Sequence, residues 1–264
     1  MHPEILRVGF LHLRSYGLMM AVAFLVGTWL SLREAKRLHM DEEKVVNVVL
    51  LALVGGVVGA RALYVFEHLA DFHREWTSVL ALWEGGLTLY GGVVAGTLVG
   101  LAAARRLGLP RWVVADALTP AIALGTMFGR IGCFLNGCCY GRPTTLPWGV
   151  KFPHDSFASL EFGDTPVHPS QLYNAAAGLG LFAVLWAVRK RVRVPGTLFW
   201  SFVIAFAVVR VPIDMTRAYE AGAVVMRLGA FEVTESQLTS VLLVLFGALM
   251  IVRLRRESPA LPAA

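Results

Sequence analysis

Residues Val45–Phe66 read VVNVVLLALVGGVVGARALYVF, an apolar run in which Asn47 and Arg61 are the two strongly polar residues. A helix needs about 20 apolar residues to cross a bilayer, because each residue adds about 1.5 Å along the helix axis. A soluble helix of this length carries polar residues along its outer face, and this run has no such face. It therefore predicts a transmembrane helix.

Six further apolar blocks accompany this run, so the sequence predicts about seven transmembrane helices. Their approximate bounds are Tyr16–Leu32, Gly86–Ala104, Trp112–Ile131, Leu172–Val188, Thr197–Ile213 and Leu238–Val252. Composition agrees, since 56% of the 264 residues are hydrophobic, 16% are charged and the mean hydropathy is +0.63. We expect an all-α integral membrane protein that forms a single membrane-embedded domain over residues 1–264.

The basic residues predict the orientation of these helices. Alternate connections are rich in lysine and arginine: Arg33–Lys44, Arg105–Arg111, Arg189–Arg193 and the tail Arg253–Arg256. Because cytoplasmic loops carry an excess of these residues, we expect the N-terminus outside and the C-terminus in the cytoplasm. Loop 132–171 and segment 214–236 are then exterior. The net charge of +6 is a topology signal of this kind, and we expect no nucleic-acid partner.

Three arginines lie inside the predicted spans, near their predicted outer ends: Arg61, Arg130 and Arg210. A central arginine costs about 2.5–3.5 kcal/mol on insertion scales. For any one of them, a side chain that reaches up to the headgroup region is an equally good explanation. Three at one depth, with Tyr16 and Tyr90 at the same level, favour a shared anionic ligand. The natural anion at that depth is a phospholipid phosphate.

The segment Gly129–Arg142, GRIGCFLNGCCYGR, combines one of these arginines with four glycines, Asn136 and three cysteines. Glycines allow close backbone approach to a ligand, and asparagine adds directional hydrogen bonds. The segment resembles the signature of the prolipoprotein diacylglyceryl transferases, which typically read GRIGNFxNGExxG. Further stretches are similar to motifs of that family: RSYGLMMAVAF at Arg14–Phe24, VGARALYVFEH at Val58–His68, EGGLTLYGGVVAG at Glu84–Gly96, HPSQLYNA at His168–Ala175 and RVPIDMTR at Arg210–Arg217.

The resemblance implies a multi-pass protein of the bacterial cytoplasmic (inner) membrane with its active site near the outer leaflet. The implied reaction transfers the diacylglyceryl group of phosphatidylglycerol to the lipobox cysteine of a prolipoprotein and releases glycerol phosphate. The implied partners are phosphatidylglycerol, prolipoprotein signal peptides and the membrane. We expect no cofactor, since the sequence has no nucleotide-binding loop or ligand cluster.

The resemblance also implies roles for individual residues. Arg130 matches the family's binding arginine and is the first choice for the phosphate ligand, because a guanidinium binds phosphate oxygens in bidentate fashion and stays charged. Arg210 is the second choice. Asn136 and the Gly137 backbone are expected to hold the glycerol headgroup or the leaving oxygen. The remaining predicted site residues are Tyr90 and Asp214 for the chemical step, and Tyr16, Gly129, Arg61 and Arg217 for lipid binding.

Arg210 and Asp214 are four residues apart, which places them on one helical face if the helix continues that far. Pro212 between them predicts a local kink. A structural ion pair is the plain interpretation, and a functional pair in the arginine layer is the one we favour. Arg217 continues the same strip and is expected to guide the anionic headgroup.

Four positions depart from the family pattern. Tyr90 stands where histidine is usual, Asp214 where glutamate is usual, and Cys133 and Cys138 where asparagine and glutamate are usual. A phenol with a pKa of about 10 is a poorer proton acceptor near neutral pH than an imidazole. An alternative function is therefore a paralogue that keeps the fold as an anionic-lipid-binding or transport protein with reduced or altered transferase activity.

All three cysteines fall within CFLNGCC, residues 133–139. Buried, inert thiols are the first interpretation. A Cys133–Cys138 disulfide and a catalytic thiol that carries the glyceryl group are alternatives. Metal binding is weaker, because no second Cys/His pair occurs at zinc spacing and His168 is distant. We expect no metal site.

Overall fold

The computed structural model describes residues 4–8, 11–72, 76–81, 85–154, 156–218, 224–228 and 231–257. The chain is mainly helical, as predicted. Its helices are α1 Ser15–Arg37, α2 Glu42–Glu67, α3 Leu69–Phe72, α4 Leu89–Arg106, α5 Arg111–Asn136, α6 Phe157–Phe162, α7 Ser170–Val188, α8 Thr197–Asp214 and α9 Glu235–Glu257, with a short 3₁₀ helix at Trp76–Leu80. The strands are β1 Glu4–Val8, β2 Leu11–Arg14, β3 Val224–Leu228 and β4 Phe231–Thr234.

Six helices of the described residues are long and apolar enough to cross a membrane: α1, α2, α5, α7, α8 and α9. This confirms an all-α, multi-pass membrane protein. The predicted third span, Gly86–Ala104, forms α4 but is not in this set, because four glycines and the terminal Arg105 and Arg106 make its 18 residues less apolar. The seventh crossing and the orientation of the helices therefore stay predictions.

The chain folds as two compact units, one of Ser31–Ala117 and one of Met1–Leu30 with Leu118–Ala264. In the first unit, α2 and α4 approach backbone to backbone. A Cβ built at Gly59 would lie 2.7 Å from the Gly91 carbonyl oxygen, closer than real Cβ atoms come. The glycines of these two helices thus allow α2 and α4 to pack closely.

The second unit has an apolar core between α5, α7 and α8, where Ala123, Leu185, Leu198 and Phe202 are buried together. The predicted exterior loop, residues 132–171, is ordered over most of its length. A second buried cluster, made of Phe152, Ala158 and Val167, lies within it. Because this loop has its own core, its residues are held in place beside the end of α5.

Two β-hairpins precede membrane helices in the second unit. β1 pairs with β2 and β3 with β4, both antiparallel and both with a register irregularity one step into the first strand. The first hairpin continues directly into α1 and the second into α9. The second hairpin lies within segment 214–236.

Candidate functional site

The signature segment leaves α5 through a sharp reversal. Asn136 is the last residue of α5, and Gly137 follows with φ +75°. The Cys138 amide then donates to the Cys133 carbonyl at 3.1 Å, which closes the helix end. Cys139 has φ +60°, a conformation that costs a non-glycine residue about 1–3 kcal/mol and that persists where the surroundings enforce it.

Beyond this reversal, three separate stretches of the sequence form one hydrogen-bonded layer. The Gly141 amide donates to the His168 carbonyl at 3.0 Å, and the His168 amide donates to the Arg142 carbonyl at 3.0 Å. The Arg142 amide donates to the Thr216 carbonyl at 2.8 Å, and its guanidinium Nε donates to the Arg217 carbonyl at 3.0 Å. Three motifs that are far apart in sequence are therefore held side by side.

Gln171 pins the reversal from the first turn of α7. Its side chain is fully buried, and its Nε2 donates to the Cys138 carbonyl at 2.8 Å. Its Oε1 is buried and has no hydrogen-bond partner in the part of the chain that the structure describes. Gln171 is not among the site residues predicted from the sequence. Its position in the HPSQLYNA stretch is the sequence feature that indicates it.

Tyr16 opens α1 directly against α5. A Cβ built at Gly132 would lie 3.1 Å from Cδ2 of Tyr16, so a glycine is needed for this approach. Gly129, one turn earlier on α5, also faces α1, but less closely: its built Cβ would lie 3.9 Å from Sδ of Met20, an ordinary contact distance. The tyrosine is 41% exposed and lies within electrostatic range of Arg130 and of the cysteines.

Two arginines, Arg130 and Arg217, lie within electrostatic range of Cys139 in the reversal. The Cys138 thiol donates to the Cys133 carbonyl at 3.7 Å. The neighbouring thiols of Cys133 and Cys138, together with the charges of Arg217 and Arg130, hold the pKa of the Cys139 thiol well below its usual range. The positive charges of Arg130 and Arg217 therefore lie close to the same small volume around Cys139, at the end of α5. Of the predicted lipid-binding residues, this volume brings together Tyr16, Gly129, Arg130, Gly137 and Arg217.

The predicted pair of Arg210 and Asp214 is made. α8 continues through Pro212 to Asp214, and Arg210 Nε lies 3.4 Å from the carboxylate Oδ2. The same Nε donates to the Ser236 hydroxyl of α9 at 2.6 Å, and the carboxylate is almost fully buried. The pair therefore links two membrane helices, and its part in the reaction stays a prediction.

Arg61 is engaged differently, within the other unit. Its guanidinium is buried and donates to the backbone carbonyls of Ser78, Val79, Gly85 and Gly86 at 2.5–3.0 Å. These bonds tie α2 to the segment that leads into α4, which supports a structural role. Its predicted lipid contact stays a prediction, as does the role of Tyr90, which is 58% exposed in the first turn of α4.

Comparison with known proteins identifies the family of the chain. The family model described as prolipoprotein diacylglyceryl transferase matches residues 3–253. The chain belongs to this family. It is 36% identical over 225 residues to the phosphatidylglycerol–prolipoprotein diacylglyceryl transferase of Geobacter sulfurreducens, covering 83% of each chain. It is 30% identical over 259 residues to the enzyme of that name from Thermosynechococcus vestitus, covering 97% of this chain and 94% of the relative.

The family resemblance read from the motifs is thus confirmed. Asp214 and the cysteines depart from the pattern of the prolipoprotein diacylglyceryl transferases, and the structure shows which groups they contact. The shorter Asp214 still reaches Arg210. Cys133 and Cys138 stand where the family pattern has an amide and a carboxylate. Their Sγ atoms and that of Cys139 all lie within 4.8 Å of one another.

Proposed function

We propose that this chain transfers the diacylglyceryl group of phosphatidylglycerol to the lipobox cysteine thiol of prolipoproteins and releases glycerol phosphate. One observation carries the proposal. Arg130 and Arg217, two permanent positive charges, act on the same volume at the end of α5, inside the segment that matches the family signature. The relatives named for this reaction match the chain over most of its length.

The reaction makes two demands on the site. The acceptor thiolate attacks the glyceryl carbon, the carbon–oxygen bond breaks, and the electron pair leaves on the phosphate monoester. Negative charge therefore has to be stabilised on the phosphate, and guanidinium groups in a water-poor site do this well. The acceptor thiol also has to lose its proton, because the thiolate is the nucleophile.

The predicted residues divide between these demands. Arg130 holds the phosphate, with Arg217 guiding the headgroup and Tyr16 beside them. Asn136 and Gly137, at the end of α5, hold the glycerol or the leaving oxygen. The pair of Arg210 and Asp214 supports the same reaction from α8, where its buried ion pair fixes the helix end. Gly129 precedes Arg130 on α5 and faces α1. Tyr90 and Arg61 belong to the proposal on sequence grounds, and Arg61 also has the structural role of its four carbonyl contacts.

The setting we propose is the bacterial cytoplasmic membrane, with the active site near the outer leaflet. The alternation of basic loops supports an exterior N-terminus, a cytoplasmic C-terminus and exterior positions for residues 132–171 and 214–236. A prolipoprotein signal peptide would then reach the site from the same membrane. No contact in the described residues favours the alternative of a lipid-binding or transport paralogue.

The test is a transfer assay with the purified full chain in vesicles. We expect a peptide with a lipobox cysteine to gain a diacylglyceryl group, seen by mass spectrometry, in vesicles that contain phosphatidylglycerol. Vesicles of phosphatidylcholine alone, and a peptide with serine in place of the cysteine, should give no product. Folded protein that yields no product with phosphatidylglycerol and the cysteine peptide would overturn the proposal.

A further inference from the structure

The side chains of the three cysteines lie close together. Cys133 lies in the last turn of α5, whereas Cys138 and Cys139 follow the reversal, and all three are free and partly buried. Their Sγ atoms all lie within 4.8 Å of one another. Two sulfurs bound to the same zinc ion lie about 4 Å apart, since each Zn–S bond is about 2.3 Å. The three thiols are therefore nearly at ligand spacing.

The protein structure holds this arrangement at an energetic cost. Cys139 lies in the cluster with a left-handed backbone conformation, in which a non-glycine residue is strained. Gln171 fixes the Cys138 carbonyl, and its buried Oε1 has no hydrogen-bond partner among the described residues. Three thiols on a turn that is fixed in this way form a suitable ligand set for one metal ion.

Two guanidinium charges lie near the cluster. Thiolates, not thiols, are metal ligands, and a thiol that binds zinc loses its proton. Arg130 and Arg217 lie within electrostatic range of Cys139. A zinc ion with three thiolates carries one net negative charge, which these guanidinium groups offset.

We propose that Cys133, Cys138 and Cys139 bind one Zn²⁺ and leave its fourth coordination position open. Soft sulfur ligands select zinc or copper(I) among biological metals, and a site with three protein ligands is typical of zinc that acts on a substrate. The proposal goes against the sequence expectation of no metal site. That expectation relied on ligand spacing, and the spacing does not reveal that the turn at Gly137 returns Cys138 and Cys139 to Cys133.

The open position gives the site a role, which rests on the proposed function. The acceptor thiol displaces water from zinc and gives its proton to solvent, because a thiol bound to zinc is deprotonated. Its sulfur then forms a bond to the glyceryl carbon, while the carbon–oxygen bond breaks and the electron pair leaves on glycerol phosphate. The product thioether is a weaker ligand, so water replaces it. Thiol activation would then not require an imidazole at position 90.

The first experiment measures bound metal in the tag-free full chain purified with zinc. We expect about one zinc per chain by elemental analysis, and a more than tenfold lower content in the triple variant C133S/C138S/C139S. The matched control is His154→Gln, which removes an exposed imidazole lying 3.6 Å from Asp164 and should keep the zinc. Wild-type protein without zinc, or a triple variant that keeps it, would overturn the site.

The second experiment tests the open position with cobalt(II) in place of zinc. We expect thiolate-to-cobalt absorption in the folded protein and an increase of about one third when the lipobox peptide adds a fourth thiolate. The serine peptide should leave the spectrum unchanged. No change with the cysteine peptide would overturn the activation role.

Transfer activity then separates the two proposals. Full transfer by the triple serine variant would overturn zinc activation and leave the transferase function intact. A protein that binds zinc and the peptide thiol but transfers nothing would overturn the proposed function and leave the zinc site intact.

Discussion

Arg61 and Arg130 lie near the ends of two apolar helices, and their surroundings differ. Arg61 of α2 is buried, and four backbone carbonyls accept from its guanidinium. Arg130 of α5 is partly buried beside Tyr16 and the cysteines, and its charge acts on the Cys139 thiol together with that of Arg217. One arginine organises backbone, and the other contributes charge to a place where a ligand can bind.

The difference shows why an arginine in a membrane helix does not by itself identify a ligand site. The cost of burying a guanidinium is offset by carbonyl acceptors as well as by a phosphate. The two cases make opposite predictions, since loss of Arg61 should lower stability and loss of Arg130 should lower activity.

Arg130→Ala should have the largest effect, a fall in transfer of about 1000-fold, because the phosphate loses a charged donor in the transition state. Its unfolding temperature should stay near that of the wild type. Arg130→Lys should recover part of the rate, since lysine keeps the charge but not the bidentate geometry. The control is Arg105→Ala, at the exposed end of α4. Unchanged transfer in Arg130→Ala would remove this residue from the lipid site.

Arg61→Ala should destabilise the protein by about 3 kcal/mol, because four partly buried carbonyls lose their donor at once. The measurement is unfolding in detergent by heat or denaturant. Transfer per folded molecule should fall much less than in Arg130→Ala. If Arg61→Ala were stable but inactive, Arg61 would be a ligand residue like Arg130, and the comparison between the two would fail.

Asp214→Asn should lower transfer by about 30-fold, since Arg210 loses its buried ionic partner and the end of α8 shifts. Asp214→Glu should keep most of the rate. Glu257→Gln is a matched control, because it removes the exposed four-residue pair with Arg253 and should change nothing. Equal effects of Asp214→Asn and Glu257→Gln would make the buried pair unimportant.

The smallest effect concerns the pH dependence of Cys139. Because its folded pKa is lowered, its thiolate persists as pH falls, whereas an ordinary thiol loses about tenfold in thiolate per pH unit below its pKa. In metal-free protein, alkylation at Cys139 should change less than twofold from pH 7 to pH 6. Peptide mapping by mass spectrometry measures this. A tenfold fall, as expected in denaturant, would contradict the effect assigned to the thiols of Cys133 and Cys138 and to the charges of Arg217 and Arg130.

Patterns of residues that are close together in the sequence predicted several features of the structure. Arg210 and Asp214 meet because they are four residues apart on one helix, and the glycine runs of α2 and α4 pack because small residues let helices approach. The six long apolar helices and the family motifs were equally visible. Each of these depends on residues close together in the sequence or on composition.

Features that depend on contacts between residues far apart in the chain could not be predicted from the sequence. The sequence gives Arg61 and Arg130 the same apolar context, and only the fold supplies carbonyls to one and thiols with Arg217 to the other. Gln171 and Cys138 are 33 residues apart, and no pattern links them. The cysteine cluster depends on left-handed turns at Gly137 and Cys139. Membrane placement follows from the chain's own apolarity, whereas the chemistry of each polar group depends on which distant donors and acceptors the fold brings to it.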